Sequence, residues 1–443
     1  MKRILLLFIL FTAFLPRAQD RYELLQPQTA IPFEMVNNLI LLDIRINNVP
    51  LKFIFDTGVK QTILFNLEAG DSLQLRNLNR MGFTGVGKEH LRIDGFSTLH
   101  NTIDINHQIV NKDAKVYVIT GMDFNFSENI GLNVNGFIGG ELIKDYIVKI
   151  DYKHQRLNFY KHDDFNNKIL KRYREFPLEI IDEKPYVYID AQKEKKSNFR
   201  KMKLLIDTGN SDDIWIFLKD SLQIPAHQKV IDDYFGLGFS GEIKGKRIKY
   251  HRFVLDNRIK LRNVYAGLPD IVYFEHIIKN NPFDGLMGGE VLRRFFVILD
   301  YKNKKMYLKK YLKNFSQKFL FNNTGIHLAY QGKISLDIKE EVHDFEVNEN
   351  QGNVLLSSHQ EFIIKNRKLD KIIIKYIRKD SPADRAGLMK GDVLLEINGV
   401  SVYKYHLDEL EKKFFFHTGK NMKFLISRKG LVLLFNVYNL KQL

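Results

Sequence analysis

The sequence predicts a mainly β protein made of two related halves, followed by a smaller α+β unit. Three observations carry that prediction. Short segments rich in Ile, Val, Phe and Tyr, separated by Asn, Gly or Lys turns, recur along residues 31–312. Two of these segments are near copies: "KFIFDTGVKQTILF" (52–65) and "KLLIDTGNSDDIWIF" (203–217). After about residue 313 the repeat stops and a different texture begins, with an Asn-Gly turn and an amphipathic helical stretch.

The strands follow in order. "NLILLDIRIN", "LKFIFDTG", "KVYVIT", "YIVKIDY" and "RLNFYK" belong to the first half; "PYVYIDA", "MKLLIDTG", "YHRFVLD", "RFFVILDY" and "KKMYLKKY" belong to the second. "GGELIKDY" (139–146) and "GGEVLRRF" (288–295) each supply one or two helical turns, with glycine before and an acid in the first turn. Asp56 and Asp207 are 151 residues apart, and Gly139 and Gly288 are 149 apart. Two elements recurring at nearly one offset describe a duplicated half, not a chance tripeptide.

With 443 residues, 44% of them hydrophobic, the chain can bury two or three cores. "MKRILLLFILFTAFLPRAQD" has basic residues, then an apolar run, then Pro16 and Ala18, the layout of a signal peptide over 1–18 with cleavage near Ala18 or Gln19. An uncleaved anchor is the rival reading, though the run is short for a bilayer span. The absence of cysteine excludes disulfides, thiolate metal sites, cysteine nucleophiles and a lipidated N-terminal cysteine. Export without cysteine fits a bacterial periplasm or cell surface. The net charge is +16, or +13 without Lys2, Arg3 and Arg17. The basic residues are spread among acids, and the densest clusters (168–174 and 193–203) read as a connector and a loop tip. Solvated surface, not nucleic-acid binding, is the expectation.

Each Asp-Thr-Gly places a carboxylate at a strand end, with Gly supplying backbone freedom for the turn and Thr a hydroxyl to brace it. Two such turns from related halves can bring Asp56 and Asp207 together across an approximate two-fold axis. Like charges about 3 Å apart cannot both ionise, so such a pair holds one proton. It could then activate water on one side and polarise a carbonyl on the other.

These motifs resemble those of pepsin-like and retropepsin-like aspartic proteases, over roughly residues 31–312. The resemblance implies a bilobal acid protease barrel fold, with lobes at 19–162 and 163–315. It makes Asp56 and Asp207 catalytic and Thr57, Gly58, Thr208 and Gly209 their loop support. Phe137-Ile138-Gly139 and Leu286-Met287-Gly288 match the apolar-apolar-Gly motif that packs beneath each catalytic loop. Glycine-containing hairpins at 83–95 and 235–248 are the candidate flaps, and neither metal nor other cofactor is implied. The sequence departs from the family at Val59 and Asn210, where a small hydroxyl or alanine residue is usual. Without that hydroxyl the pair's titration shifts, and a working pH nearer neutral than in pepsin-like enzymes is expected. The 83–95 hairpin has no pepsin-type tyrosine, which favours the retropepsin-like relation.

In the C-terminal unit, "YIRKDSPADRAGLMKGDVLLEINGVSV" (376–402), the helical "HLDELEKKFF" (406–415) and a closing hairpin from Met422 resemble a PDZ domain, placed at 316–443. The resemblance makes "TGIHLAY" (324–330) a carboxylate-binding loop, with the amides of Gly325, Ile326, His327 and Leu328 capping a peptide C-terminus. About forty polar residues (331–370) separate that loop from the next PDZ-like strand, longer than a compact domain normally tolerates.

No His-x-x-x-His pair with an acid and no serine nucleophile elbow is present. Trp215 reads as a core or pocket residue. The expected function is an exported aspartic endopeptidase that acts on peptide or protein substrates, with a PDZ domain for recruitment. Because one chain supplies both aspartates, a monomeric catalytic unit suffices. The alternative is a non-catalytic periplasmic peptide-binding scaffold.

Overall fold

A computed structural model of the chain describes residues 20–67, 73–84, 92–120, 126–218, 224, 226–238, 241–350, 353–416 and 418–443. The proposed signal segment and the tips of both candidate flap hairpins lie outside the described residues.

In the first half, β1 (Leu39–Ile46), β2 (Val49–Phe55), β3 (Ile63–Leu64), β4 (Asn79–Thr84), β5 (Arg92–Ile105), β6 (Ile109–Ile119) and β7 (Gly136–Ile138) form one sheet. Its pairings run β1-β2-β7-β3-β6-β5 and return to β1, so the sheet closes on itself, with β4 hanging from β5 as a hairpin. The short helix α1 (Phe126–Ile130) precedes β7, and β8 (Ile147–Asp151) and β9 (Arg156–Tyr160) follow it.

The second half repeats this plan with β10 (Lys184–Gln192), β11 (Arg200–Ile206), β12 (Ile214–Ile216), β13 (Val230–Gly238), β14 (Gly241–Val254), β15 (Lys260–Pro269) and β16 (Gly285–Met287). The ring is now β10-β11-β16-β12-β15-β14 and back to β10, with β13 as the hanging strand. Closing each sheet leaves few free edges for a chain so rich in strand formers.

β17 (Phe295–Asp300) and β18 (Lys305–Lys310) complete a third, six-stranded sheet shared by both halves. Its centre is β8 against β17, antiparallel, with Lys149 opposite Ile298. One continuous hydrophobic core runs through both halves and this sheet, from Phe53 and Phe55 to Leu204, Ile206 and Val297.

The C-terminal unit has its own core, centred on Leu394, Leu410, Phe414 and Phe424. Its sheet order is β19 (Ile326–Asn350), β20 (Asn353–Ile377), β21 (Val393–Ile397), β22 (Asn421–Arg428) and β23 (Leu431–Tyr438), so β19 is an edge strand. The stretch 331–370, read from sequence as a long polar separation, is instead the shaft of an antiparallel ribbon made by β19 and β20. The helix α2 (Pro382–Arg385) begins at Ser381, whose hydroxyl accepts from Asp384 N. Asn398 and Gly399, at φ 54° and 76°, turn β21 into its return strand, as an Asn-Gly pair does best. The helix α3 (Leu407–Phe416) lies beside the start of β19. No helix among the described residues is long and apolar enough to cross a membrane.

Candidate functional site: a carboxylate pair in a shared cleft

β2 runs into Asp56 and β11 into Asp207, and each strand is propped in the same way. β7 lies parallel to β2 and β16 parallel to β11. Asp56 N donates to Ile138 O at 2.9 Å, and Asp207 N donates to Met287 O at 3.0 Å. Beyond these carbonyls, Gly139 and Gly288 let the next turn slide under the loop. A Cβ on either would stand 2.3 Å from a backbone oxygen, of Val59 or of Asp212.

The two loops are tied by their threonines, both fully buried. Thr57 N donates to Thr208 Oγ1 at 3.0 Å and Thr208 N donates to Thr57 Oγ1 at 3.1 Å. Each hydroxyl in turn donates into the opposite strand, Thr57 to Ile206 O at 2.6 Å and Thr208 to Phe55 O at 2.7 Å. Four reciprocal bonds across one seam fix the aspartates to a common frame.

The carboxylates themselves touch. The Asp56 and Asp207 carboxyl groups face each other within hydrogen-bonding reach. Gly58 N donates to Asp56 Oδ1 at 2.7 Å, while Gly209 N and Asn210 N donate to Asp207 Oδ1 at 3.0 and 3.1 Å. A Cβ on Gly209 would lie 2.2 Å from Asp56 Cγ, and one on Gly58 would lie 3.0 Å from Asp207 Cγ. Neither glycine has a positive φ. What the motif needs from glycine is therefore room for the facing carboxylate, not the backbone freedom that the sequence reading assigned to it.

Burial raises the pKa of Asp56, with the Gly58 amide pulling the other way. Burial also pushes Asp207 well above the usual carboxylate range, and the neighbouring Asp56 charge adds to it. Val59 offers no hydroxyl. Asn210 turns its side-chain oxygen away to accept from Asp212 N at 2.9 Å. Both shifts are upward, so the singly protonated pair persists to higher pH than in an exposed pair of acids. For a catalytic pair of this kind the pH–rate profile would be bell-shaped and centred nearer neutrality than a pepsin-like one; a sharp peak below about pH 4 would contradict this.

The pair opens into a cavity of about 1170 Å³ whose apolar wall includes Trp215, Phe235, Phe274 and Phe283. The candidate flap strands β4 and β13 contribute Phe83 and Tyr234. Among the described residues no group of three or more histidines and acids is placed to hold a metal.

A chain of charges lines the same cavity. Arg247 donates to Asp233 Oδ2 at 2.6 Å and to both oxygens of Asp212 at 3.1 and 2.7 Å. Asp212 also accepts from Trp215 Nε1 at 2.8 Å. From the C-terminal unit, the fully buried Arg378 reaches Asp233 Oδ1 at 3.1 Å. Phe321 lies under both guanidinium groups, 4.6 Å from Arg378 and 5.9 Å from Arg247. Nothing in the sequence spacing marked these residues.

The predicted carboxylate-binding amides have partners of their own. Gly325 N donates to Asn322 Oδ1 at 3.1 Å, Ile326 N to Thr324 Oγ1 at 3.3 Å and Leu328 N to Glu411 Oε1 at 3.1 Å, while His327 is paired with Tyr376 in the β19–β20 ladder. The groove between edge strand β19 and α3 is nevertheless present, with the strand and helix arranged as in peptide-binding modules that add a strand. Residues 373–414 match the family model of the PDZ domain. The match covers the end of β20 through most of α3; β19, β22 and β23 lie outside the match but share its core. No curated protein matches the chain.

Proposed function

We propose that this protein is an exported aspartic endopeptidase of the pepsin/retropepsin-like kind, in which Asp56 and Asp207 share one proton and activate water against a peptide carbonyl. The observation that carries the reading is the close facing of two carboxylates, Asp56 buried and Asp207 half-buried, on loops held by reciprocal threonine bonds. A water set between the two would lose its proton to the ionised member, while the protonated member donates to the scissile carbonyl oxygen. Collapse of the tetrahedral intermediate returns a proton to the leaving nitrogen, and no covalent intermediate forms. The apolar wall around the pair favours an extended substrate with hydrophobic side chains beside the scissile bond.

A PDZ domain implies peptide or protein binding, and the rival reading, a scaffold that binds peptides without cutting them, rests on that domain alone. Digestion of a denatured protein mixture, read by mass spectrometry, separates the two. The wild-type protein should generate new termini, and Asp56→Asn should lower their yield by at least about a thousandfold with the fold intact. Equal cleavage by the variant, or none by the wild type between acid and neutral pH, would refute the endopeptidase.

A further inference from the structure

The PDZ groove faces into the catalytic cleft, not away from it. His327, Leu328, Glu411 and Phe415 line the same cavity as Asp56 and Asp207. The PDZ domain is held in that orientation from both sides. Arg378 is buried against Asp233 of the second half, and Tyr234 stacks on Tyr376 with ring centres 5.2 Å apart. From the first half, Gly131 (φ +82°) leaves only 3.0–3.1 Å between its Cβ position and Tyr330 and Leu407, at the far end of the groove. A side chain at 131 would strike both the β19 wall and the α3 wall.

The groove is also chemically wrong for a free C-terminus. Asn322 and Thr324 already occupy the amides of Gly325 and Ile326, and Glu411 occupies that of Leu328. An incoming carboxylate would find its donors taken and a like charge in place. Among the described residues Glu411 has no lysine or arginine partner. Its neighbour Lys412 is held by Asp408 at 2.6 Å. Burial raises the Glu411 pKa, with His327 nearby pulling it down. Desolvation of this kind is offset by a cation brought in with the ligand.

We propose that the β19–α3 groove is a distal subsite of the catalytic cleft, which selects internal substrate segments carrying a lysine or arginine side chain at Glu411, and does not capture free C-termini. This rests on the endopeptidase reading for its role in cleavage, but binding can be tested without it. Within one extended segment, apolar side chains would sit against the aromatic wall by the aspartates and a basic one would reach Glu411. The new bond is a charge-assisted hydrogen bond to a carboxylate already fixed by the Leu328 amide.

The test uses the full chain carrying Asp56→Asn and fluorescent peptides acetylated and amidated at their ends. A lysine-containing peptide should bind, and the same peptide with a free C-terminal carboxylate should bind no tighter. Glu411→Gln should weaken the lysine peptide roughly tenfold or more and leave its methionine analogue unchanged. Glu411→Lys should reverse the preference toward a glutamate analogue. Binding that requires a free C-terminus, equal affinity of Glu411→Gln for the lysine peptide, or no binding of any peptide would each overturn the proposal. If binding discriminates but the wild-type protein cuts nothing, the endopeptidase reading fails and the subsite stands. If the wild-type protein cuts while Glu411→Gln, with Asp56 restored, keeps the same cleavage preference, only the subsite fails.

Discussion

Thr57→Val is expected to destabilise the protein by about 2–5 kcal/mol, a large share of the stability of an ordinary domain. The substitution keeps the shape and removes only the hydroxyl. Thr57 Oγ1 accepts from Thr208 N and donates to Ile206 O, and both threonines are buried, so two backbone groups lose their partners with no water to replace them. Each unsatisfied buried group costs roughly 1–3 kcal/mol. Thr57→Ser retains both bonds and should cost only about 1 kcal/mol for the lost methyl. The urea midpoint of unfolding, at unchanged slope, reads the difference. Near-equal midpoints for the valine and serine variants would mean that the seam is held by packing alone.

The second large effect is expected at Asp233. It is the only carboxylate among the described residues that bonds both Arg247 and Arg378, and removing it leaves the fully buried Arg378 without a carboxylate and Arg247 with Asp212 alone. Asp233→Ala should cost about 3–5 kcal/mol, the range found when one partner of a buried ion pair is deleted. The charge of Arg247 beside it holds the Asp233 carboxyl far below the usual range, overcoming the cost of burial. A depressed native pKa contributes stability that is complete above the unfolded value and drains away as pH falls through the native one. Measured by urea unfolding, the gap between wild type and Asp233→Ala should therefore be full near pH 6 and narrow between about pH 4 and about pH 2. A gap that stays constant across that range would show that the pairing is not electrostatic. Because Asp233 lies on β13 of the second half and Arg378 in the PDZ domain, the variant should also loosen the contact between the two.

The parts of this architecture that were legible in the sequence are those written locally. The two Asp-Thr-Gly turns, the apolar-apolar-Gly segments and the Asn398-Gly399 hairpin each depend on a few adjacent residues, so a short pattern announces them. The ribbon of β19 and β20 carried a readable signal as well, since Ile334, Leu336 and Ile338 alternate with polar residues, but its high charge made it look like a loop. Its pairing with a strand on the far side of a turn supplies the hydrogen bonds that composition does not reveal. The reason for the motif glycines was misread because the crowding at Gly58 and Gly209 comes from the other half of the chain. The same is true of Arg378 and Asp233, 145 residues apart. They meet only because the PDZ domain packs on the second half. Glu411 was hidden for a related reason: a helix glutamate usually faces solvent, and its role appears only once the edge of β19 is seen beside it.

The claim on which the rest depends is that Asp56 and Asp207 hold one proton between them. Neutron diffraction from crystals of the full chain, grown in deuterated buffer at the pH of greatest activity, would locate it. A single deuteron between the facing carboxylate oxygens is the predicted result. Two bare carboxylates bridged by a cation, or two separately protonated acids, would contradict it.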